Sequence, residues 1–120
     1  MDIMNFKELM ENIKKENGEV PRPLELLGQL DEGQVMQFVA QRQASMSGTT
    51  IPPKYKALIA LSVGIALDSP TCILNNTKQA KKAGAKTEEI VEAFAIAKFA
   101  KSATAMSSSM PAFEWLVNNK

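Results

Sequence analysis

Apolar side chains recur three or four positions apart over much of this chain, which is the spacing of one face of an α-helix. Within residues 5–15 this face consists of Phe6, Leu9, Met10 and Ile13. Asn17-Gly18 predicts the end of that helix. Pro21 predicts the start of a second helix, and Asp31 is the predicted N-cap of a third.

The segment from Pro53 to Leu67 is apolar on nearly every side of its predicted helix. A helix without a polar face is normally buried all round. In so short a chain, we expect this helix to pack against other subunits as well as against its own chain. The apolar run from Ala57 to Leu67 covers roughly 11 residues, whereas a membrane-spanning helix needs about 20. The run therefore predicts a core helix.

The next helix has a recognisable start in the sequence. Ser69 is a good N-cap residue, and Pro70 suits the first helical position because its fixed backbone angle is already helical. Gly84 predicts the end of this helix. Thr87 is the predicted N-cap of the following helix.

Three glutamates near the start of that following helix, Glu88, Glu89 and Glu92, are predicted to form a solvated face that complements the helix dipole. The stretch from Met106 to Pro111 predicts a flexible break before a last helix. Runs that alternate β-branched or aromatic residues with polar ones, as strands do, are weak throughout. The predicted fold is therefore all-α, with about six helices.

Composition and charge narrow the possible functions. The chain has 120 residues and a formal net charge of +1 from 14 basic and 13 acidic residues, with no long basic block and only 6% aromatic residues. We therefore predict no nucleic-acid partner. The sequence contains no histidine, the side chain used most often for acid–base catalysis and metal binding. We predict no metal and no cofactor.

Cys72 is the only cysteine, so no disulfide can form within one chain. This favours a reducing, cytoplasmic location. The first residues lack the basic start and apolar core of a signal peptide, and no apolar run predicts a membrane partner.

Two stretches of sequence resemble one known family. The segment Asp68-Ser69-Pro70-Thr71-Cys72-Ile73-Leu74-Asn75-Asn76 and the later stretch GAKTEEIVEA are similar to the carboxymuconolactone decarboxylase and alkylhydroperoxidase D-like superfamily. The resemblance covers residues 53–105. It implies a helical bundle that assembles as a homo-oligomer, a trimer or a hexamer. On this view residues 1–52 are an N-terminal helical extension, and residues 53–120 form the family core within one compact domain.

The redox members of that superfamily carry the motif C-x-x-C-x-x-x-H, preceded by a glutamate one helix earlier. Over this pattern Cys72 is the second cysteine, Ser69 replaces the first, Asn76 replaces the histidine and Ala57 replaces the glutamate. The resemblance implies that the glutamate and histidine activate the second cysteine, and that the first cysteine closes a disulfide. Three of these four groups are therefore missing.

Cys72 remains the candidate nucleophile because a thiolate at a helix start is stabilised by unpaired N–H groups and the helix dipole. The alternative is that Cys72 is a small buried apolar residue. Asp68 could act as a base toward Cys72 or help to cap the helix at Ser69. Asn76 could hold a water or substrate, or simply hydrogen-bond to backbone or solvent.

Three functions follow as hypotheses. The first is a thiol-dependent oxidoreductase, of the peroxidase or disulfide type, that uses Cys72 alone with an external thiol reductant. The second is a catalytically degenerate family member that binds a small ligand or partner in a cavity between subunits. Lactone decarboxylation is the third, and it gains little from the sequence because both arginines, Arg22 and Arg42, lie in the N-terminal extension, far from the motif in sequence.

Overall fold

The computed structural model describes residues 4–120, which fold entirely into helices and connecting turns. The helices are α1 Phe6–Asn17, α2 Arg22–Leu30, α3 Glu32–Met46, α4 Pro53–Ala66, α5 Pro70–Lys82, α6 Thr87–Ser108 and α7 Met110–Asn118. No strand occurs between residues 4 and 120. The all-α prediction is confirmed, with seven helices where about six were expected.

Local capping explains where the early helices begin and end. The Asn5 side chain accepts a hydrogen bond from the Glu8 N–H at 2.8 Å, and the Glu8 carboxylate accepts one from the Asn5 N–H. Gly18 ends α1 with a backbone φ of 84°, which a residue without a side chain adopts most easily. Asp31 caps α3 as predicted, because its carboxylate accepts a hydrogen bond from the Gln34 N–H.

The chain divides into two compact units, and the first ends at Ile51. Within this unit α2 packs against α3, and Val35 of α3 is fully buried. Gly28 of α2 lies against the ring of Phe6, so that a β-carbon at position 28 would come within 2.6 Å of it. The missing side chain therefore lets the Phe6 ring lie directly against α2.

The second unit, Pro52–Lys120, has α4 at its centre, packed against both α5 and α6. Ala57, Ala80 and Ala85 form the buried cluster, with Leu58 and Ile90 packed on it. Such small residues let helix backbones approach closely. Gly64 extends this close approach to the start of α5, where a β-carbon would meet Cys72 at 3.4 Å.

Two predicted helix boundaries were wrong. Lys86, not Thr87, is the N-cap of α6, because the Glu89 carboxylate accepts a hydrogen bond from the Lys86 N–H and fixes the helix start one residue earlier. The predicted break at Met106–Pro111 is a single residue, Ser109. Its hydroxyl donates to the Ala105 carbonyl, which ties the junction to α6.

The apolar helix α4 is covered on one side only by its own chain. Ala57, Leu61 and Gly64 are buried, whereas Ile59 and Val63 are each 52% exposed. The expectation that other subunits cover the rest of α4 stays a prediction. Within residues 4–120, no helix is both long enough and apolar enough to span a bilayer.

Candidate functional site

The turn between α4 and α5 holds the cysteine motif in place. Asp68 adopts a left-handed backbone with φ of 55°, which reverses the chain directly after α4. The Ser69 N–H then donates to the Gly64 carbonyl at 3.1 Å, and the Ile73 N–H donates to the Ser69 carbonyl at 2.9 Å. Ser69 is the N-cap of α5 and Pro70 its first residue, as predicted, although the Ser69 hydroxyl makes no capping hydrogen bond.

Cys72 lies in the first turn of α5 as an exposed free thiol. Its β-carbon lies over the backbone of α4 at Gly64, the one α4 position where no side chain intervenes. The alternative that Cys72 is a buried apolar residue is therefore wrong for a single chain.

The other motif positions do not complete a proton relay around the thiol. Ser69 and Asn76 lie one helical turn before and one turn after Cys72, along the same face of α5. Ala57, at the position of the family's glutamate, is only 4% exposed and belongs to the core cluster. None of these three side chains can exchange a proton near neutral pH.

Asp68 has a partner that the sequence did not predict. Its carboxylate forms an ion pair with the Lys101 ammonium on α6. This contact joins the α4–α5 turn to α6. From the sequence, Asp68 was predicted either to act as a base toward Cys72 or to help cap the helix at Ser69.

A groove of about 470 Å³ lies between α4 and α6, in the size range of small-molecule sites. Its lining residues are Tyr55, Leu58, Ile59, Ser62, Val63, Glu89, Glu92, Ala93 and Ile96. Most of this surface is apolar, and four polar side chains interrupt it. Cys72 is not part of the lining. The thiol and the groove are therefore separate features of the second unit.

An ion pair lies at the edge of the groove. The Lys54 ammonium is 3.0 Å from the Glu89 carboxylate, and both side chains are half-buried. The hydrogen bond from the Lys86 backbone, and then the one from Lys54, lower the pKa of Glu89. The same hydrogen bond with Glu89 raises the pKa of Lys54. Lys54 also lies 5.1 Å from the centre of the Tyr55 ring, a cation–π distance.

The polar atoms of the groove mostly accept hydrogen bonds. The Ser62 hydroxyl donates its proton to the Leu58 carbonyl at 2.8 Å, so only its oxygen lone pairs remain available. The carboxylates of Glu89 and Glu92 are acceptors as well, and Tyr55 can donate or accept. Among the described residues, the lining includes no lysine and no arginine.

This groove was not predicted from the sequence. On α4 the lining positions 55, 58, 59, 62 and 63 are three or four apart, and on α6 the positions 89, 92, 93 and 96 repeat that spacing. This spacing places each set on one helix face. The prediction of a solvated acidic face holds for the exposed Glu88 and Glu92, but Glu89 is half-buried in an ion pair.

Between residues 4 and 120, no group of three or more acidic or cysteine side chains could hold a metal ion.

Comparison with known proteins identifies the family. The sequence model of the carboxymuconolactone decarboxylase family matches residues 34–115, which is more than half of the chain and extends beyond the resemblance over residues 53–105. No curated protein matches the sequence. The matched region includes both the cysteine turn and the groove between α4 and α6. From the extent of this match, the chain belongs to the carboxymuconolactone decarboxylase family.

Proposed function

We propose that this protein binds a small, largely apolar ligand in the groove between α4 and α6, as a family member that has lost the redox machinery. The observation that carries the proposal is the groove itself. It combines an apolar lining with a few polar groups, and its volume lies within the range of small-molecule sites. Binding is favourable at such a surface because an apolar ligand displaces water from it.

The surroundings of Cys72 support binding over redox catalysis. Peroxide reduction by the family mechanism needs an acid–base pair beside the thiol and a second thiol to resolve it. Ala57 is in the core, and Ser69 and Asn76 occupy the other two positions. The sequence offers no second cysteine and no histidine anywhere.

The proposal includes a homo-oligomer, in which further copies cover apolar surfaces that one chain leaves exposed. The helix α4 is apolar on nearly every side, yet only Ala57, Leu61 and Gly64 are buried, and α6 also leaves large apolar side chains exposed at Phe94, Ile96 and Phe99. Helices of that kind are normally buried on all sides. Ile59, Val63 and Ile96 line the groove and are also exposed. A neighbouring copy at this face would make the groove a cavity between subunits.

Binding of the neutral fluorophore N-phenyl-1-naphthylamine to the native protein tests the proposal. We expect saturable binding that Ala93→Phe removes, because the new ring fills the groove. Ala95→Phe is the matched control, since Ala95 lies on α6, is exposed and is not part of the lining. Cys72→Ser should bind as the parent does. Equal binding by the Ala93→Phe variant would overturn the proposal.

The exposed thiol supports a second candidate function, a peroxidase that uses Cys72 alone. The Cys72 thiolate would attack a hydroperoxide, R–O–O–H, and break its O–O bond, which gives a sulfenic acid and an alkoxide that takes a proton from water to become the alcohol R–OH. One external thiol would then form a mixed disulfide and release water, and a second would regenerate Cys72 and leave as the external disulfide. Peroxide consumption that depends on added thiol and disappears in Cys72→Ser would support this candidate. Consumption unchanged by that substitution would exclude it.

Decarboxylation of a carboxylated lactone has less support than either candidate. Its substrate is an anion, which a site normally holds with arginine or lysine. The groove lining instead has two carboxylates, Glu89 and Glu92.

A further inference from the structure

We infer that the groove between α4 and α6 selects cationic amphiphiles, molecules with an apolar body and an ammonium or similar positively charged head. This inference rests on the proposed function, because it names the chemical class of the ligand in the same groove. Three observations carry it: the shape and apolar lining, the direction of the hydrogen bonds, and the balance of charge.

The apolar part of the groove suits an alkyl or ring-containing body. Leu58, Ile59 and Val63 of α4 face Ala93 and Ile96 of α6 across a volume of about 470 Å³. That volume lies in the lower half of the range for small-molecule sites, so the ligand is expected to be small. Because the sides are aliphatic, the body gains mainly from the removal of apolar surface from water.

The polar groups favour a ligand that donates hydrogen bonds. The Ser62 hydroxyl already donates its hydrogen bond to the Leu58 carbonyl, and the carboxylates of Glu89 and Glu92 can only accept hydrogen bonds. A head with N–H donors therefore finds partners here, whereas a carboxylate, sulfate or phosphate head finds only the Tyr55 hydroxyl as a donor among the lining side chains.

Charge gives the same preference. Lys54 is paired with Glu89, so that pair contributes little net charge. The remaining charge of the lining is the carboxylate of Glu92, an exposed side chain. The Tyr55 ring, which has the Lys54 ammonium 5.1 Å from its centre, can also attract a ligand cation through its face. An anionic head would meet the carboxylate of Glu92, and the Lys54 ammonium at the edge of the groove is already paired with Glu89.

The whole chain has the opposite charge from this site. Its formal net charge is +1, so non-specific attraction would favour anions over cations. A preference for cations therefore cannot come from the overall charge and has to come from the groove.

Four probes with the same ten-carbon chain test the inference: decyltrimethylammonium, decylamine, decanol and decyl sulfate. Each is used below its micelle concentration to displace N-phenyl-1-naphthylamine. Decyltrimethylammonium carries the positive charge without N–H donors, and decylamine carries both. We expect the trimethylammonium probe to displace the dye at about two- to fivefold lower concentration than decanol, as an exposed charge contact allows, with decylamine at least as strong. Decyl sulfate should be the weakest.

Glu92→Gln should weaken the cationic probes more than decanol and so remove most of the cation preference. Glu114→Gln on α7 is the matched control, because it removes the same charge outside the groove. Equal displacement by the cationic, neutral and anionic probes would overturn the inference and leave the proposed function standing. Tighter binding of the sulfate would also overturn it. Failure of every probe, together with failure of the dye to bind, would overturn the proposed function as well.

Discussion

At the scale of single residues, the surroundings of Cys72 and Glu89 determine what each side chain does. Cys72 was the candidate nucleophile, and Glu89 was expected to be part of a solvated acidic face. Cys72 is exposed at a helix start but has no neighbouring acid–base pair of the family type. Glu89 fixes the start of α6 through the Lys86 N–H and also holds Lys54 at the edge of the groove. One carboxylate therefore sets a helix boundary and also neutralises Lys54 at the edge of the groove.

Glu89→Gln should lower the stability of the protein at pH 7, with the loss disappearing in acid. The folded state lowers the pKa of Glu89 below the ordinary value of 4.5. Its stabilising contribution is therefore fully present above 4.5 and is lost as the pH falls through the folded-state pKa. Urea unfolding of parent and variant at pH 7 and at pH 3 measures this. Glu88→Gln, an exposed neighbour, is the control, and an equal effect of both substitutions at pH 7 would contradict the assignment.

Asp68→Asn should destabilise the protein by less than about 1 kcal/mol, because the ion pair with Lys101 is exposed. Asparagine also tolerates the left-handed backbone that position 68 requires. Lys101→Met should have a similar effect on unfolding by urea. The rate of Cys72 alkylation by iodoacetamide should not change in either variant. A large drop in that rate in Asp68→Asn alone would mean that Asp68 acts as a base toward the thiol.

At the scale of helices, the boundaries that depend on neighbouring residues could be predicted from the sequence. The caps at Asp31 and Ser69 and the end of α1 at Gly18 depend on residues within a few positions, and all three were predicted. The start of α6 was missed by one residue because two neighbours could cap it and Glu89 decided between them.

The groove and its ion pair depend on contacts between distant segments. Lys54 and Glu89 are on different helices and meet only when α6 packs against α4. Periodicity shows which residues share a helix face, but it does not show which two faces meet at a groove. The acidic face of α6 could therefore be predicted from sequence and its role at the groove could not.

The close approach of α4 and α5 at Gly64 makes a prediction of its own. Gly64→Ala places a methyl group at 3.4 Å from Cys72, an ordinary contact, and gains helix propensity of up to about 1 kcal/mol. Gly64→Leu needs more room than this contact leaves, so it should cost about 1–3 kcal/mol through overpacking. Ala66→Leu, at an exposed position of α4, controls for the larger side chain. Thermal or urea unfolding that shows no penalty for Gly64→Leu would contradict the packing.

At the scale of the whole molecule, the main feature is the number of large apolar side chains that a single chain leaves exposed. Phe94, Phe99, Phe113 and Trp115 of α6 and α7 are each about half exposed or more. Large exposed apolar patches usually mark interfaces. The sequence predicted that α4 is apolar all round, but periodicity alone cannot say whether the same chain or another copy covers each side.

We expect light scattering after size-exclusion chromatography to give a mass that is a multiple of 13.1 kDa, with the trimer or hexamer implied by the family resemblance. Phe99→Glu should lower that mass, because Phe99 is 74% exposed and a charge there would have to be buried at an interface. Lys98→Glu, at the adjacent exposed position, should not. A monomeric parent would contradict this part of the proposal.

The most direct test of the central claim is to locate a bound ligand. Nuclear Overhauser effects between bound N-phenyl-1-naphthylamine and labelled methyl groups would do so by solution NMR. The account predicts contacts with the methyl groups of Leu58, Val63 and Ile96, which line the groove between α4 and α6. Contacts confined to Leu116 and Val117 of α7, with none to the groove, would contradict it.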